Sequence, residues 1–291
     1  MDRIHIPTLI HMIEVEALSF SYRDHQIFDQ IGFALEPKKI YGLIGPNGVG
    51  KTTLISILAG IQNGFSGLVR NVQQPGLLLQ GVGFYDNLTV EDNLSVFQRD
   101  QGAKPTDIAQ VLSLVQMKDY AKVKYVNLSQ GYKQRLGIAR SLLTNGNLVL
   151  LDEPFTAVDV QTVRILKQAI LAYVAQSQKT VVISSHQLKT IEDLIDQPLM
   201  IKAKKVRMPD LGRRQVRENL LYLWMDQPES LVALADSVPA LQIQNQIDNI
   251  LEIRLQEGLC IAGLLSLLSE HDIQWKRLDK EMPLEFFYFD E

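Results

Sequence analysis

The sequence predicts an α/β protein with a nucleotide-binding type of fold, followed by a small α+β domain. Three observations lead to this prediction. A short apolar strand, Ile40–Ile44, runs into a glycine-rich turn and then into a helical pattern. Apolar strands and helices alternate over the next residues, which is typical of a largely parallel sheet. Near the end of the chain the pattern becomes strand, helix, strand, strand, helix, strand, which is the ferredoxin-like order.

Length and composition are those of a folded protein with room for two domains. Of the 291 residues, 46% are hydrophobic and 21% are charged, which excludes a mainly disordered chain. The formal net charge is −4, so the overall charge does not indicate a nucleic-acid partner. The single cysteine, Cys260, permits no intrachain disulfide and fits a reducing compartment. We expect its thiol to be buried in a core.

Hydropathy indicates a cytoplasmic protein. No apolar run approaches the ~20 residues that a membrane-spanning helix needs. The first residues, Met1–Met12, lack the apolar core of a signal peptide. We therefore expect any action at a membrane to pass through a partner.

Residue patterns place the elements of the larger domain in order. Apolar or β-branched runs predict strands at Val15–Tyr22, Ile27–Leu35, Ile40–Ile44, Leu77–Leu79, Leu148–Leu151 and Thr180–Ser184. Helical spacing of apolar residues predicts helices from Lys51 and at Thr106–Met117, Gln130–Leu143 and Val163–Ala175. This alternation predicts a P-loop type of domain over residues 1–205.

The remaining residues predict a linker and an accessory domain. The segment Lys202–Arg217 is basic and is interrupted by Pro209 and Gly212. It reads as a solvated connector, with a patch facing anionic lipid headgroups and a nucleic-acid contact as alternatives. We place the linker at residues 206–214 and the accessory domain at 215–291. Its predicted strands are Leu220–Met225, Leu241–Gln244, Ile250–Leu255 and Trp275–Leu278, and its helices are Pro228–Ser237 and Cys260–Leu268.

The glycine-rich turn matches the phosphate-binding pattern GxxxxGK[ST]. Glycines let backbone N–H groups turn toward phosphates, and the following helix presents its positive end. Lys51 is expected to reach the β- and γ-phosphates, and Thr52 to hold Mg²⁺. A chance glycine-rich turn is disfavoured by the strand before it and the helix after it. The expected nucleotide contacts are Gly45, Asn47, Gly48, Gly50, Lys51, Thr52 and Thr53.

Two acidic residues end the apolar strand Leu148–Leu151. A buried strand that delivers a carboxylate to its tip is how such folds build a magnesium site. Asp152 is expected to be the metal-side carboxylate, and Glu153 the general base that faces the attacking water. The alternative is an acidic cap on the next helix, which the nearby phosphate-binding loop makes less favoured.

A segment just upstream of this strand points to a family. Leu128-Ser129-Gln130-Gly131-Tyr132-Lys133-Gln134-Arg135 resembles the LSGGQ signature of ABC-type ATPases. The phosphate-binding loop, this signature and the acidic strand stand in the family's order and spacing. The resemblance covers about Ile13–Met200, and it disfavours the alternative of an ordinary helix start capped by Ser129.

The resemblance implies roles for four further residues. Gln80 falls where the family has its Q-loop glutamine, which acts in catalysis and at the metal. His186 falls at the switch histidine and Asp159 at the D-loop aspartate. Tyr22 lies where the family stacks an aromatic ring on adenine.

The sequence also departs from the family pattern. Gln130 replaces the first glycine of the signature, and the D-loop contains Thr156-Ala157-Val158 where SGL is commoner. Lys39 stands where a glycine usually precedes the strand, and the stretch from Thr53 to Leu79 is short. None of these departures removes a catalytic group.

The resemblance implies an ATP hydrolase that uses Mg²⁺ and acts through a divided site. One copy supplies Lys51 and the acidic pair, and a second copy supplies Ser129 and Gly131. An intact set of motifs permits a homodimer, with a different ATPase partner as the alternative. The membrane part is then expected to be separate transmembrane permease subunits, with this subunit peripheral on the inner face of the plasma membrane.

Two more stretches resemble transporter ATPases. Residues 83–89 look like the corresponding stretch of antibiotic-export and lantibiotic-immunity ABC ATPases, which predicts export. Phe84, Tyr85 and Phe97 are expected either to line the groove for a permease helix or to pack within the helical subdomain. Residues 283–287 are similar to the LEDxF stretch of appended exporter domains, and we expect dimer support there. The alternative function is a soluble ABC-type ATPase acting as a regulatory or translation-linked switch.

Overall fold

The computed structural model describes residues 12–79, 83–101, 105–209, 220–256 and 258–279. The chain divides into two compact units between Pro209 and Asp210. The predicted stretch at residues 283–287 lies outside the described residues. The predicted linker overlaps a strand at Lys205–Arg207, and its residues 210–214 also lie outside the described part.

The larger unit contains two sheets, one antiparallel and one mostly parallel. The antiparallel sheet has the order β2-β1-β4 and is built from β1 (Ile13–Tyr22), β2 (His25–Leu35) and β4 (Ser66–Arg70). The second sheet comprises β3 (Ile40–Ile44), β5 (Gly76–Leu78), β6 (Leu148–Leu151), β7 (Thr180–Ser185), β8 (Gln197–Lys202) and β9 (Lys205–Arg207). Its order is β5-β6-β7-β3-β8-β9, and β9 is an antiparallel edge strand.

The central strands of this sheet are apolar because both of their faces are covered. Every residue of β3, β6 and β7 is buried, which is the pattern of a parallel strand between two layers. Ile44 pairs with Ser185, and Leu151 pairs with Ile183. The carboxyl ends of β3, β6 and β7 therefore lie side by side at one edge of the sheet.

The helices of the larger unit include all four helices of the predicted set and two further ones. They are α1 (Lys51–Leu58), α2 (Val90–Gln101), α3 (Pro105–Leu114), α4 (Gln130–Leu142), α5 (Val160–Gln176) and the short α6 (Leu188–Ile191). Residue patterns did not predict α2 and α6, nor the strands β4, β8 and β9. The start of α2 does carry a signal, because Thr89 and Asp92 form hydrogen bonds to each other in the manner of a capping box.

The smaller unit has the predicted element order. It consists of β10 (Leu220–Trp224), α7 (Pro228–Ala235), β11 (Leu241–Ile247), β12 (Ile250–Leu255), α8 (Ile261–Glu270) and β13 (Arg277–Asp279). The sheet order is β11-β12-β10-β13, with all neighbours antiparallel. One face of this sheet packs against α7 and α8 through an apolar core that includes Leu223, Leu251 and Leu264.

The expectation for Cys260 is wrong, because its thiol belongs to an exposed residue. Cys260 is the N-cap of α8 and has extended backbone angles, φ −99° and ψ 172°. Its side chain therefore does not follow the helical face that buries Leu264 and Leu268. Over the part of the chain that the structure describes, no helix is long and apolar enough to cross a membrane.

Candidate functional site

Three loops meet at the edge where β3, β6 and β7 end. The phosphate-binding loop follows β3, the acidic pair follows β6, and His186 follows β7. Parallel strands place their carboxyl ends at one edge, which is where open α/β sheets bind ligands. Residues far apart in the sequence thus lie together.

Lys51 is the buried cation of this site. Only 6% of the residue is exposed, and its Nζ donates to the carbonyl oxygens of Gly45 at 2.8 Å and Pro46 at 3.1 Å. The same nitrogen lies 3.8 Å from Glu153 Oε1. Burial lowers the pKa of the Lys51 ammonium, and the carboxylates of Glu153 and Asp152 oppose that shift. The loop therefore closes around its own lysine.

Glycines are required in the loop for two different reasons. At Gly50, φ is +112°, and an added Cβ would lie 2.6 Å from Ile27 Cγ2, because β2 packs directly beneath the loop. At Gly48, φ is +81°, but the space around a Cβ is open. At Gly50, both the positive φ and the close packing of β2 favour glycine, whereas at Gly48 the positive φ alone favours it. The loop leads straight into the N-terminus of α1, whose first N–H groups have no partner within the helix.

Asp152 is held by two hydroxyl groups. Thr52 Oγ1 donates to Asp152 Oδ2 at 2.7 Å, and Ser184 Oγ donates to Asp152 Oδ1 at 2.6 Å. The backbone N–H of Asp152 donates to the carbonyl of Leu78, which extends the pairing of β5 with β6 by one residue. The carboxylate is almost fully buried, and both of its oxygens have partners.

The Thr52–Asp152 pair fits Mg²⁺ by the chemistry of its donors. Both contribute oxygen atoms, which Mg²⁺ prefers, and Mg²⁺ in nucleotide sites takes its other ligands from phosphates and water. Across the described residues, no group of three or more His, Cys, Asp or Glu could hold a metal ion by itself. Thr52 and Asp152 thus suit a cation that is bound together with a phosphate ligand. They do not by themselves form a complete metal site.

Glu153 has a backbone conformation that is uncommon for its residue type. Its φ is +48°, in the left-handed region that side chains with a Cβ rarely adopt. Its N–H donates to Ser184 Oγ at 2.8 Å, and its Oε1 lies 2.9 Å from His186 Nδ1. Thr156 Oγ1 donates to the other carboxylate oxygen at 3.3 Å. The Glu153 carboxylate therefore lies between the Lys51 ammonium and the His186 ring.

The signature segment begins α4 and lies beside the D-loop. Ser129 is the N-cap of α4, but its exposed side chain makes no capping hydrogen bond. A Cβ built at Gly131 would lie 3.1 Å from Thr162 Oγ1 and 3.6 Å from Asp159 Oδ2. Asp159 caps α5, because it accepts from the N–H and the hydroxyl of Thr162, both at 2.8 Å. These bonds lower the pKa of Asp159.

A cavity of about 480 Å³ connects the acidic pair to the signature helix. Its lining includes Asp152, Glu153, Gln130 and Gln134. Gln134 Nε2 also donates to the carbonyl of Pro154 at 2.7 Å. The start of α4 and the turn after β6 are thus tied together within one chain.

The structure describes some of the remaining predicted residues and not others. Gln80 lies outside the described residues. Tyr22 is 48% exposed and its ring meets Phe20 edge-on, with 4.8 Å between centroids. Phe84 stacks on Tyr125 and meets Phe97 edge-on.

The aromatic residues were expected either to line a groove for a permease helix or to pack within the helical subdomain. Phe84 and Phe97 pack within the helical region, and the guanidinium carbon of Arg140 lies 3.7 Å from the centroid of the Phe97 ring. Tyr85 remains 56% exposed. The sequence did not predict roles for Ser184 and Thr162, which lie two residues before His186 and three residues after Asp159.

Comparisons with known proteins agree with the geometry. A family model described as ABC transporter matches residues 28–156. An uncharacterized ABC transporter ATP-binding protein of Methanocaldococcus jannaschii, MJ1023, is 36% identical over 197 residues, which cover 66% of this chain and 75% of that protein. The lantibiotic transport ATP-binding protein SrtF of Streptococcus pyogenes is 32% identical, over 64% of this chain and 84% of its own length.

Two further similarities extend this picture. The bacitracin transport ATP-binding protein BcrA of Bacillus licheniformis is 30% identical over 239 residues, covering 77% of this chain and 78% of that protein. A solved structure, of an ATP-binding subunit of an ABC transporter, superposes with a TM-score of 0.62 at 22% identity, over 70% of this chain and 92% of that one. The structural likeness supports the fold.

Proposed function

Because the chain belongs to the family of ABC transporter ATP-binding proteins, we propose that it is the ATP-hydrolysing subunit of an exporter. In this proposal, two ATPase subunits close on ATP and drive separate transmembrane permease subunits. Members of this family hydrolyse ATP in transporters. For this chain we propose which residues hydrolyse ATP, that two copies form the active dimer, and that transport is outward.

One arrangement carries the catalytic part of the proposal. Thr52 bonds to Asp152, while Glu153 lies 3.8 Å from Lys51 and 2.9 Å from His186. A carboxylate held between a cation and an imidazole at a phosphate-binding loop is placed to accept a proton from water beside the γ-phosphate. Five side chains from three loops meet there, which a chance glycine-rich turn does not explain.

The chain's own groups divide the work in this proposal. Lys51 and the loop N–H groups bind the phosphates, and the loop glycines let the backbone come close. Glu153 accepts the proton of the attacking water, and His186 orients the Glu153 carboxylate through their shared hydrogen bond. Thr52 and Asp152, with Gln80 as a further candidate ligand, hold Mg²⁺, which would neutralise phosphate charge when bound. Tyr22 offers an exposed ring for adenine.

A second subunit is proposed because the Ser129 hydroxyl of the signature makes no capping hydrogen bond within the described residues. Ser129 is exposed at the start of α4, and its hydroxyl makes no capping bond. A helix N-terminus with an unused hydroxyl is suited to a phosphate. We propose that Ser129 and Gly131 contact the γ-phosphate held by another copy, with Asp159 at the same interface.

Transport is supported by the names of the relatives, and export by resemblance. Proteins similar to this chain are named as lantibiotic and bacitracin transport ATP-binding proteins. We propose an antibiotic-type cargo class moved outward by permease subunits, to which this chain attaches on the inner face of the plasma membrane. Its accessory unit would support the dimer.

The experiment that tests this proposal is an affinity purification of the Glu153→Gln variant from detergent-solubilised native membranes in the presence of ATP and Mg²⁺. Blocked hydrolysis should keep the closed dimer on its permease. Mass spectrometry should then find one polytopic membrane protein in stoichiometric amount, and two ATPase copies per complex.

The matched control is Lys51→Ala in the same purification, because loss of phosphate binding should prevent closure. Recovery of ribosomal proteins, or of no membrane protein, with Glu153→Gln would contradict the transporter proposal and favour a soluble switch. A closed dimer that still forms with Ser129→Arg, measured by size-exclusion chromatography with ATP, would contradict the divided site.

A further inference from the structure

Ser184 is a buried residue that links the Asp152 carboxylate to the backbone of Glu153, and the sequence did not predict a role for it. It is fully buried, with 0% exposure. It lies one residue past Ile183, which pairs with Leu151 in the parallel register of β6 and β7. Because β7 continues to Ser185 while β6 ends at Leu151, Ser184 lies beside the point where the acidic pair begins.

The Ser184 hydroxyl makes two hydrogen bonds in opposite senses. It accepts from the backbone N–H of Glu153 at 2.8 Å and donates to Asp152 Oδ1 at 2.6 Å. A hydroxyl can do both, since it has one donor hydrogen and two acceptor lone pairs. Alanine can do neither, and it would leave a buried N–H and a buried carboxylate oxygen each without this partner.

The bond to the Glu153 N–H stabilises an uncommon turn. Glu153 has φ +48°, a conformation that persists only when surrounding contacts hold it. This turn aims the Glu153 carboxylate at His186, which lies two residues after Ser184 on the same segment. Ser184 thus contacts the Asp152 carboxylate and the Glu153 N–H, and His186 contacts the Glu153 carboxylate.

The bond to Asp152 leaves room for a cation. Ser184 bonds to Oδ1, whereas Thr52 bonds to Oδ2. A ligand that takes Oδ2 therefore does not displace Ser184. The hydroxyl fixes the carboxylate from its inner side while the other oxygen faces the phosphate-binding loop.

We propose that Ser184 is a positioning residue that sets the Asp152 carboxylate for Mg²⁺ and the Glu153 carboxylate for the attacking water. The proposal rests on the roles given to these two residues in the proposed function. Ser184 acts through them and does not itself touch the nucleotide.

The test compares Ser184→Ala with Ser184→Thr in the purified full chain. For the alanine variant we expect kcat for ATP to fall about 10- to 100-fold, while KM stays within about threefold, since the phosphate-binding loop is unchanged. The threonine variant keeps the hydroxyl and should recover most of kcat. Ser141→Ala is the matched control, because Ser141 is also buried but its hydroxyl donates to the carbonyl of Ile138 in its own helix.

A second measurement does not depend on turnover. Stabilisation of the chain by ADP is followed by thermal shift as Mg²⁺ is titrated, with ADP plus EDTA as the reference. Ser184→Ala should need about tenfold more Mg²⁺ for half of the magnesium-dependent shift, with the ADP–EDTA shift unchanged. Should the alanine variant not fold, Ser184→Cys replaces it, because a thiol is similar in size but a weak donor.

Two outcomes would overturn the proposal. One is a Ser184→Ala variant with wild-type kcat and wild-type Mg²⁺ dependence. The other is a variant whose only change is a lower Tm, matching that of Ser141→Ala. Failure of the proposed function looks different, since Glu153→Gln would then retain turnover. An inactive Glu153→Gln beside a fully active Ser184→Ala removes only the role of Ser184.

Discussion

The edge of the large sheet contains buried polar side chains, whereas the core of the smaller unit is apolar. Among the described residues, every buried charged, serine, threonine, asparagine or glutamine residue belongs to the larger unit. Lys51, Asp152 and Ser184 are among them, and they lie at one sheet edge. The core of the smaller unit is built from leucines and isoleucines, with Met225. Burying a polar group costs free energy unless it is paired, and at the candidate site the Lys51–Glu153 and Ser184–Asp152 contacts supply such pairs.

The difference also lies in strand direction. Parallel strands in the larger unit bring three loops to one edge, each from a distant part of the sequence. The antiparallel sheet of the smaller unit pairs neighbours such as β11 and β12 through a short turn. The first arrangement assembles a site, and the second one mainly encloses a core.

The largest expected effect comes from Glu153→Gln in the larger unit. The amide keeps the size of the side chain but cannot accept the proton, so turnover should fall by about 10²–10⁴-fold, or about 3–5 kcal/mol. Binding of ATP should persist. A coupled ATPase assay and equilibrium binding of a fluorescent ATP analogue measure the two quantities.

The control is Glu252→Gln in the smaller unit, where the carboxylate accepts a hydrogen bond from the Tyr222 hydroxyl at 3.0 Å. Its turnover should equal that of the wild type. Equal loss of turnover in both variants would contradict the assignment of ATP hydrolysis to the larger unit alone.

A smaller effect, on stability rather than chemistry, is expected for Leu223→Ala. Leu223 is fully buried in the core of the smaller unit, and removal of a buried leucine side chain costs about 2–5 kcal/mol. The variant should unfold earlier in urea when followed by Trp224 fluorescence. Nucleotide binding at the larger unit should persist beyond that transition, and its loss at the same urea concentration would show that the two units unfold together.

The smallest expected effect concerns Asp159, the cap of α5. Hydrogen bonds from Thr162 hold the pKa of this carboxylate below its usual value. The stability that it contributes is therefore present above the ordinary aspartate pKa and is lost as the pH falls through the lowered one. Asp159→Ala should lower Tm slightly at pH 7, and the difference from the wild type should shrink on acidification.

Asp159→Asn is the matched control, since asparagine is also a good N-cap but does not titrate. Its Tm at pH 7 should stay close to that of the wild type. A difference between Asp159→Ala and the wild type that does not change with pH would contradict the assignment of the effect to the ionised cap.

Sequence patterns predicted the parts of the fold that have one dominant physical cause. The strands β3, β6 and β12 have the predicted bounds. Strands β3 and β6 are short apolar runs, whereas β12 alternates apolar residues with Glu252 and Arg254 directly after a turn. The larger helix α2 was missed because its residues are mostly polar, and its capping signal at Thr89 is local.

Local patterns gave the candidate site residues that belong to contiguous motifs, whose roles stay predictions, and did not give a residue whose contacts depend on strand pairing. Lys51, Thr52 and Asp152 follow from local patterns, and the structure brings Thr52 to Asp152. Ser184 could not be found in this way, because its bonds to Asp152 and Glu153 depend on the register between two strands. Cys260 shows a second limit, since an apolar residue at a helix start can leave the buried face.

The register of the large sheet has a consequence for synthesis of the chain on the ribosome. Strand β7 lies between β6 and β3, and Ile40 pairs with Val181, a separation of 181 − 40 = 141 residues. At about 5–20 residues per second, translation takes roughly 7–28 s to cover that distance. The phosphate-binding loop therefore leaves the ribosome long before β7 and β8, the two strands that flank β3, have been made, and the sheet edge that carries the candidate site cannot assemble until then.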